Sequence, residues 1–276
     1  MSNNDLLSSP LKKKQVYVSV YKPDLLFSLP RINKRQEIGI GQILPFTGVD
    51  IWNAFELSWL NKKGKPEIVI AEFHIPCESP NIIESKSFKL YLNSFNQTSF
   101  DSIHEVRSRL QIDLSKKTGA QICVMLHSIS SLTNTLLKNF KGQCLDHLDI
   151  SCDTYQPTPN YLKSDRSNTV SEVLYSLLLK SNCLVTGQPD WGSVKITYTG
   201  PKINREGLLK YIVSFRNHYE FHEQCVERLF IDILNRCACK MLTVYARYTR
   251  RGGLDINPIR STHPITILNN ARHVRQ

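Results

Sequence analysis

The sequence lacks a long apolar run and any segment that resembles a signal peptide. Its longest unbroken apolar run, residues 122–126, has five residues, whereas a membrane-spanning helix needs about 20. Residues 1–14 are polar and then basic, without an apolar core. A content of 41% hydrophobic and 21% charged residues over 276 positions is typical of a globular chain. We therefore expect a cytoplasmic protein with no membrane partner.

The sequence also lacks the Cys-x-x-Cys spacing on which four-ligand zinc sites are built. Its eight cysteines are scattered along the chain, and Cys237 and Cys239 form the only close pair. In a cytoplasmic chain long enough to bury a large core, we do not expect cysteines to form a disulfide framework. Free cysteine behaves as a small hydrophobic residue. We expect Cys237 and Cys239 to be buried thiols, and we predict no metal site.

A concentrated basic stripe is absent as well, although the formal net charge is +11. Short basic clusters are spread over the chain, and no aromatic residues interleave with them as they do in proteins that stack single-stranded bases. The excess of positive charge is compatible with a nucleic acid, a phosphorylated cofactor or a solvated basic surface. Charge alone does not choose among these three.

What the sequence does contain is one pattern written twice. Apolar residues recur at helical spacing over 88–114, with a polar break near 96–99, and the pattern returns over 208–234. When the first stretch is shifted by 120 positions, five residues meet identical ones, which indicates an internal repeat. The matched pairs are Tyr91 and Tyr211, Ser94 and Ser214, Phe95 and Phe215, Val106 and Val226, and Leu114 and Leu234.

Strand-like segments flank each helix pair, so each half of the chain is predicted to be an α+β module. These segments are 53–60, 67–73 and 121–126 in the first half, and 194–199 and 241–248 in the second. A turn at Thr47 and Gly48 is predicted to correspond to one at Thr186 and Gly187.

A polar stretch that contains two prolines separates the halves and is predicted to be a linker. The predicted boundaries are 1–141 for the first module, 142–168 for the linker and 169–276 for the second module. Thr169 and Glu172 match a capping box, which predicts a helix that runs to about Ser181.

Two clusters in the second half combine residue types that carry chemistry. Cys183 follows the predicted helix in a polar turn, and Asp190 lies seven residues further on, as expected of a nucleophile with a proton carrier. A structural cysteine in a β-turn is the alternative. His222 and Glu223 fall in the first turn of a predicted helix, where a polar pair can also be only a cap.

Two further clusters are basic. Glu84 and Lys86 open the first helix pair, where backbone N–H groups beside a lysine can cradle a phosphate. A solvated helix start is the alternative there. Arg251 and Gly252 lie in a basic, glycine-containing turn after a predicted strand. That turn can bind an anion or be a plain charged loop.

Together, the four clusters resemble the signature of the 7-cyano-7-deazaguanine reductases, the nitrile reductases of the queuosine pathway. Residues 84–91 carry the first part of this signature, and the resemblance runs through both modules from about residue 38 to residue 257. It implies the longer form of the family, which has two tunnelling-fold (T-fold) modules with antiparallel sheets and paired helices on one face. The remaining matches are Cys183 with Asp190, His222 with Glu223, and Arg251 with Gly252.

The resemblance assigns roles to these residues. Cys183 would attack the nitrile carbon and form a covalent thioimidate, and Asp190 would supply and relay protons. NADPH would deliver two hydrides in succession, taking the nitrile to an imine and then to a primary amine. The family binds NADPH without a Rossmann domain, which agrees with the absence of Gly-x-Gly-x-x-Gly.

The binding residues also follow from the resemblance. Those for the deazaguanine substrate would be Ile83, Glu84, Ser85, His222 and Glu223, and those for NADPH would be Ser85, Lys86, Arg251 and Gly252. The partners implied are the small-molecule substrate and a second copy of the chain in a homodimer, without direct contact with nucleic acid.

The repeat adds an expectation about how the site is assembled. At the 120-residue offset, His222 and Glu223 face Ser102 and Ile103, and Glu84 faces Asn204. Each module therefore lacks residues that the other has, and we expect a site that needs both modules.

Three other classes of protein compete with this interpretation. A zinc-dependent cyclohydrolase of the same fold would need metal ligands clustered near Cys183, and the spacing does not supply them. A tRNA-binding protein would explain the positive charge, but this family acts on the free base. A plain interaction module would leave Cys183 and Asp190 without a role.

Overall fold

The structure, a computed structural model, describes residues 17–132, 137–265 and 270–276. The described residues form two compact units that alternate along the chain. The first unit contains 17–37, 50–132 and 250–255. The second contains 38–49, 137–249, 256–265 and 270–276. Strands and helices alternate within each unit, so the predicted mixture of α and β structure is confirmed.

The first unit is built on three strands in the order β5–β3–β2 and on two consecutive helices. Strands β3 and β5 are antiparallel, and a separate short ladder pairs β1 with β4, also antiparallel. The elements are β1 (Ser28–Pro30), α1 (Ile32–Glu37), β2 (Thr47–Leu60), β3 (Pro66–Pro76), β4 (Asn81–Ile83), α2 (Ser85–Asn93), α3 (Ile103–Thr118) and β5 (Cys123–His127). The first three residues of β2 belong to the second unit.

The second unit has strands in the order β10–β9–β8–β7–β6 and a second helix pair. Neighbouring strands from β10 to β7 are antiparallel, whereas the two-residue β6 pairs with β7 in parallel. The elements are β6 (Gln143–Cys144), β7 (Ser164–Asn182), β8 (Pro189–Ile203), α4 (Arg205–Ser214), α5 (His222–Cys237), β9 (Met241–Tyr248) and β10 (Leu254–Ser261). The first two residues of β10 belong to the first unit.

In each unit the helices bury one face. In the first unit, Phe88 of α2 contacts Trp52 of β2 and Phe73 of β3 edge to face, with ring centroids 5.2 and 5.1 Å apart. In the second unit, Phe230 of α5 contacts Phe46 edge to face at 5.4 Å. These aromatic pairs anchor α2 on its strands and α5 on the residue just before β2, because edge-to-face rings add about 0.5–1.5 kcal/mol beyond the area that they bury.

The first helices of the two pairs are built alike. The Tyr91 hydroxyl donates a hydrogen bond to Asp113 (2.6 Å), and the Tyr211 hydroxyl donates to Asp232 (2.5 Å). Tyr91 also contacts Phe95 edge to face at 5.2 Å, and the equivalent ring pair in the second unit, 120 positions later, lies at 5.3 Å. The internal repeat in α2 and α4 is therefore confirmed in its contacts.

The second helices correspond at 119 positions, so the predicted offset of 120 is wrong there. Helices α3 and α5 each have 16 residues, and α5 begins one residue earlier relative to α4 than α3 does relative to α2. The buried residues of α3, such as Leu114, correspond to Ile233 and not to Leu234, which is half-exposed. His222 and Glu223 accordingly lie opposite Ile103 and His104.

The predicted helix over 169–181 is wrong, because this segment lies in strand β7. The strand pairs with β8 along almost its whole length, and its register shifts between Asp165 and Thr169 and again between Ser176 and Leu179. These irregularities break the alternation of buried and exposed side chains, so the apolar residues imitate helical spacing. The capping-box residue Glu172 instead accepts a hydrogen bond from the Tyr198 hydroxyl (2.8 Å).

The predicted turn at Thr47 is also wrong, because Thr47 and Gly48 begin strand β2. By contrast, Thr186 lies in the turn between β7 and β8. Cys237 and Cys239 are free and buried, as predicted, and burial raises the pKa of their thiols to about 12 and about 11. Within the described ranges, no helix is both long and apolar enough to cross a membrane.

Candidate active site

Cys183 lies at the start of the loop that joins β7 to β8. Strand β7 ends at Asn182 and β8 begins at Pro189, so the residue before Cys183 ends a strand and not the predicted helix. The N–H of Cys183 donates to the carbonyl of Gln188 (2.8 Å), and the carbonyl of Cys183 accepts the N–H of Gly187 (2.9 Å). These two bonds close the loop on itself. They fix the backbone that carries the thiol, and Cys183 is only 5% exposed.

Asp190 lies on the other side of the same hairpin. It is the second residue of β8 and pairs in register with Ser181, two residues before Cys183. Its side chain is buried, and its Oδ2 lies 3.4 Å from Nε2 of His222. The hairpin thus supplies a thiol and a carboxylate, one on each side of its loop, and the imidazole of His222 contacts the carboxylate.

His222 is held against the ring of Tyr248. The two rings are stacked, with centroids 3.7 Å apart and planes within 6°. Nδ1 of His222 is buried and has no hydrogen-bond partner among the residues that the structure describes. A buried polar atom without a partner is costly unless a ligand or water completes it. This atom is therefore available to a bound substrate.

Glu223 follows His222 in the first turn of α5 and is also buried. At the cap position just before this helix, the N–H of Phe221 donates to Oε1 of Gln224 (3.2 Å). A helix N-terminus favours negative charge because its first N–H groups point outward. The position thus suits a carboxylate, and the predicted location of His222 and Glu223 in the first turn of a helix is confirmed.

A buried charged group supports the segment just before α5. Glu220 pairs with Arg228 and, at 2.9 Å from Oε2, with Nε2 of His218. Burial alone would raise the pKa of Glu220, but the hydrogen bonds and charges of His218 and Arg228 hold it below its usual value. Glu220 therefore stays ionised and ties the loop between α4 and α5 to the helix.

In the first unit, Glu84 is the N-cap of α2. Its Oε1 accepts the N–H of Lys86 (3.0 Å), and its Oε2 accepts the N–H of Ser87 (2.7 Å). These two amides are therefore engaged by Glu84, which corrects the expectation that they are open to a phosphate. Burial raises the pKa of Glu84, although both hydrogen bonds and the charges of Lys86 and Arg251 oppose that rise.

The cationic residues of the first unit lie around Glu84. Lys86 is exposed, and the charges of both Lys86 and Arg251 act on the Glu84 carboxylate. Arg251 belongs to a turn between β9 and β10, where its N–H donates to the carbonyl of Leu254 (2.9 Å). Gly252 follows and is exposed, so this turn presents both a cation and open backbone to a ligand.

Ile83 and Ser85 flank Glu84. Ile83 is the last residue of β4 and is buried, with Ser28 of β1 as its partner in register. Ser85 is the first residue of α2 and is half-exposed. The predicted residues of the first unit are thus consecutive at one strand-to-helix junction, with the Arg251 turn beside it.

Sequence reasoning missed Tyr248 as a part of the site. The sequence shows only that Tyr248 ends a predicted strand just before the basic turn. A ring stack between β9 and α5 leaves no local sequence pattern. No group of three or more His, Cys, Asp or Glu residues in the described part of the chain is arranged to hold a metal ion.

Two family models match most of the chain. A family model described as "Nitrile reductase, 7-cyano-7-deazaguanine-reductase N-term" matches residues 17–126, and one described as "QueF-like protein" matches residues 189–266. An archaeosine synthase QueF-Like in the apo form is a structural neighbour. Its TM-score of 0.31 at 16% identity, over 36% of this chain and 96% of that one, is too low to support an argument.

Curated relatives match over nearly the whole chain. The NADPH-dependent 7-cyano-7-deazaguanine reductase of Chromobacterium violaceum is 56% identical over 269 residues, which cover 97% of this chain and 96% of that protein. The reductase of the same name from Dechloromonas aromatica is 57% identical over 270 residues, with coverages of 98% and 95%. This full-length identity shows that the chain belongs to the family of NADPH-dependent 7-cyano-7-deazaguanine reductases.

Proposed function

We propose that this protein reduces the nitrile of 7-cyano-7-deazaguanine to the primary amine of 7-aminomethyl-7-deazaguanine, with NADPH as the reductant, in queuosine biosynthesis. The observation that carries the proposal is the 56% identity, over almost the full chain, to a reductase of that name. The hairpin with Cys183 and Asp190, next to His222, supplies the chemistry that this reaction needs.

Cys183 is the nucleophile. A thiolate attacks an electrophilic carbon far better than a thiol does. The sulfur forms a bond to the nitrile carbon, and a proton is added to the nitrile nitrogen, which gives a covalent thioimidate without any change of oxidation state. The backbone bonds of Cys183 to Gln188 and Gly187 fix the backbone that carries the thiol, which lowers the entropic cost of bringing the sulfur to the substrate.

Asp190 and His222 move the protons. Asp190 takes the thiol proton and passes it toward the nitrile nitrogen, and His222 lies 3.4 Å from the same carboxylate. After the first reduction the bond between carbon and the Cys183 sulfur breaks, which returns the thiolate and leaves the imine. Each of the two reductions takes up one proton, so the site must be recharged from solvent. A carboxylate and an imidazole in contact can pass that proton from one to the other.

The substrate is recognised through buried carboxylates. Glu223 accepts hydrogen bonds from the exocyclic amine and the ring N–H of the deazaguanine, and His222 lies beside it. Charge-assisted hydrogen bonds of this kind discriminate strongly for the correct edge. Glu84 takes part in the same recognition, since each of its oxygens accepts one amide and retains a second lone pair. Ile83 and Ser85 complete the binding residues on that side.

The residues present fit a phosphorylated dinucleotide. Lys86 is exposed, Arg251 lies in the turn beside exposed Gly252, and Ser85 offers a hydroxyl at the helix start. When bound, NADPH supplies a hydride to the substrate carbon, and the conversion of a nitrile to an amine uses two such hydrides. The role of Lys86 and Arg251 is to hold the anionic phosphates.

We also propose the finer architecture that the family implies. The chain would form two T-fold modules, over 1–141 and 169–276, joined by residues 142–168. It would act as a homodimer in the cytoplasm and would bind the free base without contacting nucleic acid directly. The recurrence of the Tyr–Asp bond in both helix pairs supports the presence of two related modules.

The test is covalent capture followed by turnover. Without NADPH, intact-protein mass spectrometry of the wild type mixed with 7-cyano-7-deazaguanine is expected to show a gain of one substrate mass, and Cys183→Ala is expected to show none. With NADPH, loss of absorbance should correspond to two cofactors consumed per nitrile.

Cys152→Ala is the matched control, because Cys152 is a half-exposed free cysteine outside the proposed site. It should form the adduct and turn over like the wild type. An adduct that persists in Cys183→Ala would assign the nucleophile to another residue. A wild type that consumes no NADPH with this substrate would overturn the proposed function.

A further inference from the structure

Tyr248 is the residue on which His222 rests. It is the last residue of β9, is fully buried, and stacks on the His222 ring at 3.7 Å. Asp190 contacts His222 at Nε2, and the stacked tyrosine ring sets the plane of the imidazole. Any shift of Tyr248 would therefore move His222 relative to Asp190.

The backbone of Tyr248 is held on both sides by two carboxamides. Its N–H donates to Oδ1 of Asn257 (3.2 Å), and its carbonyl accepts Nε2 of Gln276 (3.0 Å). Nε2 of Gln276 also donates to Oδ1 of Asn257 (2.9 Å), so the two side chains are joined to each other. Asn257 is fully buried and Gln276 is 6% exposed. Buried hydrogen bonds of this kind are electrostatically stronger than the same bonds in water, because the surrounding dielectric is low.

The orientation of the Gln276 amide is determined by its neighbours. Its Oε1 accepts Nε of Arg247 (2.5 Å) and the N–H of His273 (3.1 Å). Both of these groups are donors, whereas the Tyr248 carbonyl is an acceptor. A flipped amide would therefore place its NH₂ group against two donors. Gln276 is thus suited to link the charged Arg247 to the backbone of Tyr248.

The Tyr248 ring has no room to move on its other side. Gly192 is the cross-strand partner of Tyr248, and a Cβ placed there would lie 3.1 Å from Cδ1 and 3.2 Å from Cε1 of the ring. The ring is therefore confined between the backbone of Gly192 and the imidazole of His222. A small displacement of the Tyr248 backbone is passed on to His222.

We propose that Gln276 is a positioning residue for the contact between His222 and Asp190, acting through the backbone and ring of Tyr248. This inference rests on the proposed function, in which His222 and Asp190 move protons. Gln276 itself touches neither the substrate nor the cofactor. Its effect should appear in the rate of proton-dependent steps and not in the affinity for NADPH.

The test compares two substitutions of the same side chain with a control. Gln276→Glu keeps an acceptor for Arg247 but loses the donor to Tyr248, and Gln276→Ala loses both. We expect Gln276→Glu to lower kcat roughly 10- to 100-fold, since a displacement of about 1 Å in a catalytic site can cost on the order of 100-fold. The KM for NADPH should stay within about twofold of the wild type.

Asn270→Ala is the matched control, because Asn270 also accepts from Arg247 (2.9 Å) and, within the described part of the chain, does not hydrogen-bond to Tyr248. It should retain the kcat of the wild type. If Asn270→Ala loses as much activity as Gln276→Glu, the segment has only a structural role and the proposal is overturned.

A double-mutant cycle tests the route through His222. In a His222→Asn background, Gln276→Glu should lower kcat less than twofold further, since residues that act as one unit are not additive. A full, additive loss would contradict the proposal. Tyr248→Leu, which keeps an apolar buried side chain without an aromatic stack, should reproduce the loss and mask the effect of Gln276→Glu. This third variant keeps the test decisive if a Gln276 variant folds poorly.

A spectroscopic measurement separates this inference from the proposed function. The stacked tyrosine ring shifts the His222 ring protons upfield in the NMR spectrum, and His222→Asn identifies their resonances. Gln276→Glu should move these resonances toward their unstacked positions even if the protein were inactive toward the nitrile. Unchanged His222 resonances in Gln276→Glu would refute the positioning role, whatever the enzyme reduces.

Discussion

The two helix pairs share an interior but differ at the ends of their helices. In both units a buried tyrosine on the first helix donates to an aspartate on the second, Tyr91 to Asp113 and Tyr211 to Asp232. The serine three residues after each tyrosine donates to that tyrosine's carbonyl at 2.6 Å. These contacts lie within each helix pair, so both units retain them.

The helix starts have diverged. The first helix is capped by Glu84 in the first unit and by Asn204 in the second, and both side chains accept backbone N–H groups. The second helix is capped by the Ser102 hydroxyl in the first unit, whereas Phe221 occupies that position in the second and has no side-chain acceptor. A lost hydroxyl cap costs about 1 kcal/mol.

This difference shows that the fold can carry reactive and binding side chains at its helix starts. Helix starts present N–H groups and room for carboxylates, and their side chains do not interrupt the core. The first unit places Glu84 at one such start, and the second places His222 and Glu223 at another. We expect the first unit to serve mainly in binding and the second mainly in reaction, and four predictions test that division and the shared scaffold.

The largest effect is expected at Asp190, which tests whether the second unit carries the reaction. Asp190→Asn should lower kcat by about 10²–10⁴-fold, the usual cost of a lost acid/base group. The Kd of the substrate should change little when it is measured by calorimetry in a Cys183→Ala background, where no covalent adduct forms. Asp165→Asn is the control, because Asp165 lies exposed on the neighbouring strand. Unchanged turnover in Asp190→Asn would remove this residue from the mechanism.

The next effect tests whether the cations of the first unit serve the cofactor. Lys86→Ala and Arg251→Ala should each raise the KM for NADPH about 10- to 100-fold, because a charge-assisted hydrogen bond contributes about 1.5–3 kcal/mol. Thioimidate formation needs no cofactor, so its rate should be unaffected in stopped-flow measurements. Lys116→Ala on α3 is the control. Equal losses with NADPH and NADH would instead indicate general positioning and no recognition of the extra phosphate.

A smaller effect tests how far the scaffolds are equivalent. Asp113 also accepts the Tyr21 hydroxyl (2.5 Å), so Tyr91→Phe leaves it a donor. Within the described residues, Asp232 has no second hydroxyl. Tyr211→Phe should therefore lower the free energy of unfolding by about 1–3 kcal/mol and Tyr91→Phe by less. Urea unfolding measures both, and a larger loss in Tyr91→Phe would show that Tyr21 does not compensate.

The smallest effect concerns the ends of the second helices. The cap residue is left-handed in both, with φ of 75° at Gly119 and 53° at Ala238. Ala238→Gly should stabilise the protein by up to about 1 kcal/mol, because glycine adopts this backbone without strain. Gly119→Ala should destabilise it, since its Cβ would lie 2.6 Å from Cγ of Pro80. Thermal unfolding should show opposite signs, and equal signs would contradict the equivalence.

Much of the fold can be predicted from the sequence, because periodic apolar residues identify buried faces. Helices α2 to α5, strand β9 and the repeat of Tyr91 in Tyr211 follow in this way. Strand β7 does not, since two irregularities in its pairing with β8 disturb the period and Thr169 with Glu172 imitate a cap. Pairing with β8 makes that segment a strand, and a local sequence pattern does not show this pairing.

The candidate site divides in the same way. Cys183, Asp190 and Glu223 can be found from motifs because each lies within a short, unusual run of residues. Tyr248 and Gln276 cannot, because their roles come from a ring stack and from bonds between distant segments. A single sequence carries no signal for a contact whose partners are far apart and of ordinary type.

The alternation of the two units along the chain has a consequence for synthesis on the ribosome. Asn53 donates to Asp255 (2.7 Å) within the first unit, across a sequence separation of 202 residues. The first unit therefore remains incomplete until nearly the whole chain has been translated, although most of its residues emerge early. Pairing over such distances is slow and leaves strand edges open meanwhile. We therefore expect the nascent first unit to be the stage of synthesis that is most exposed to aggregation.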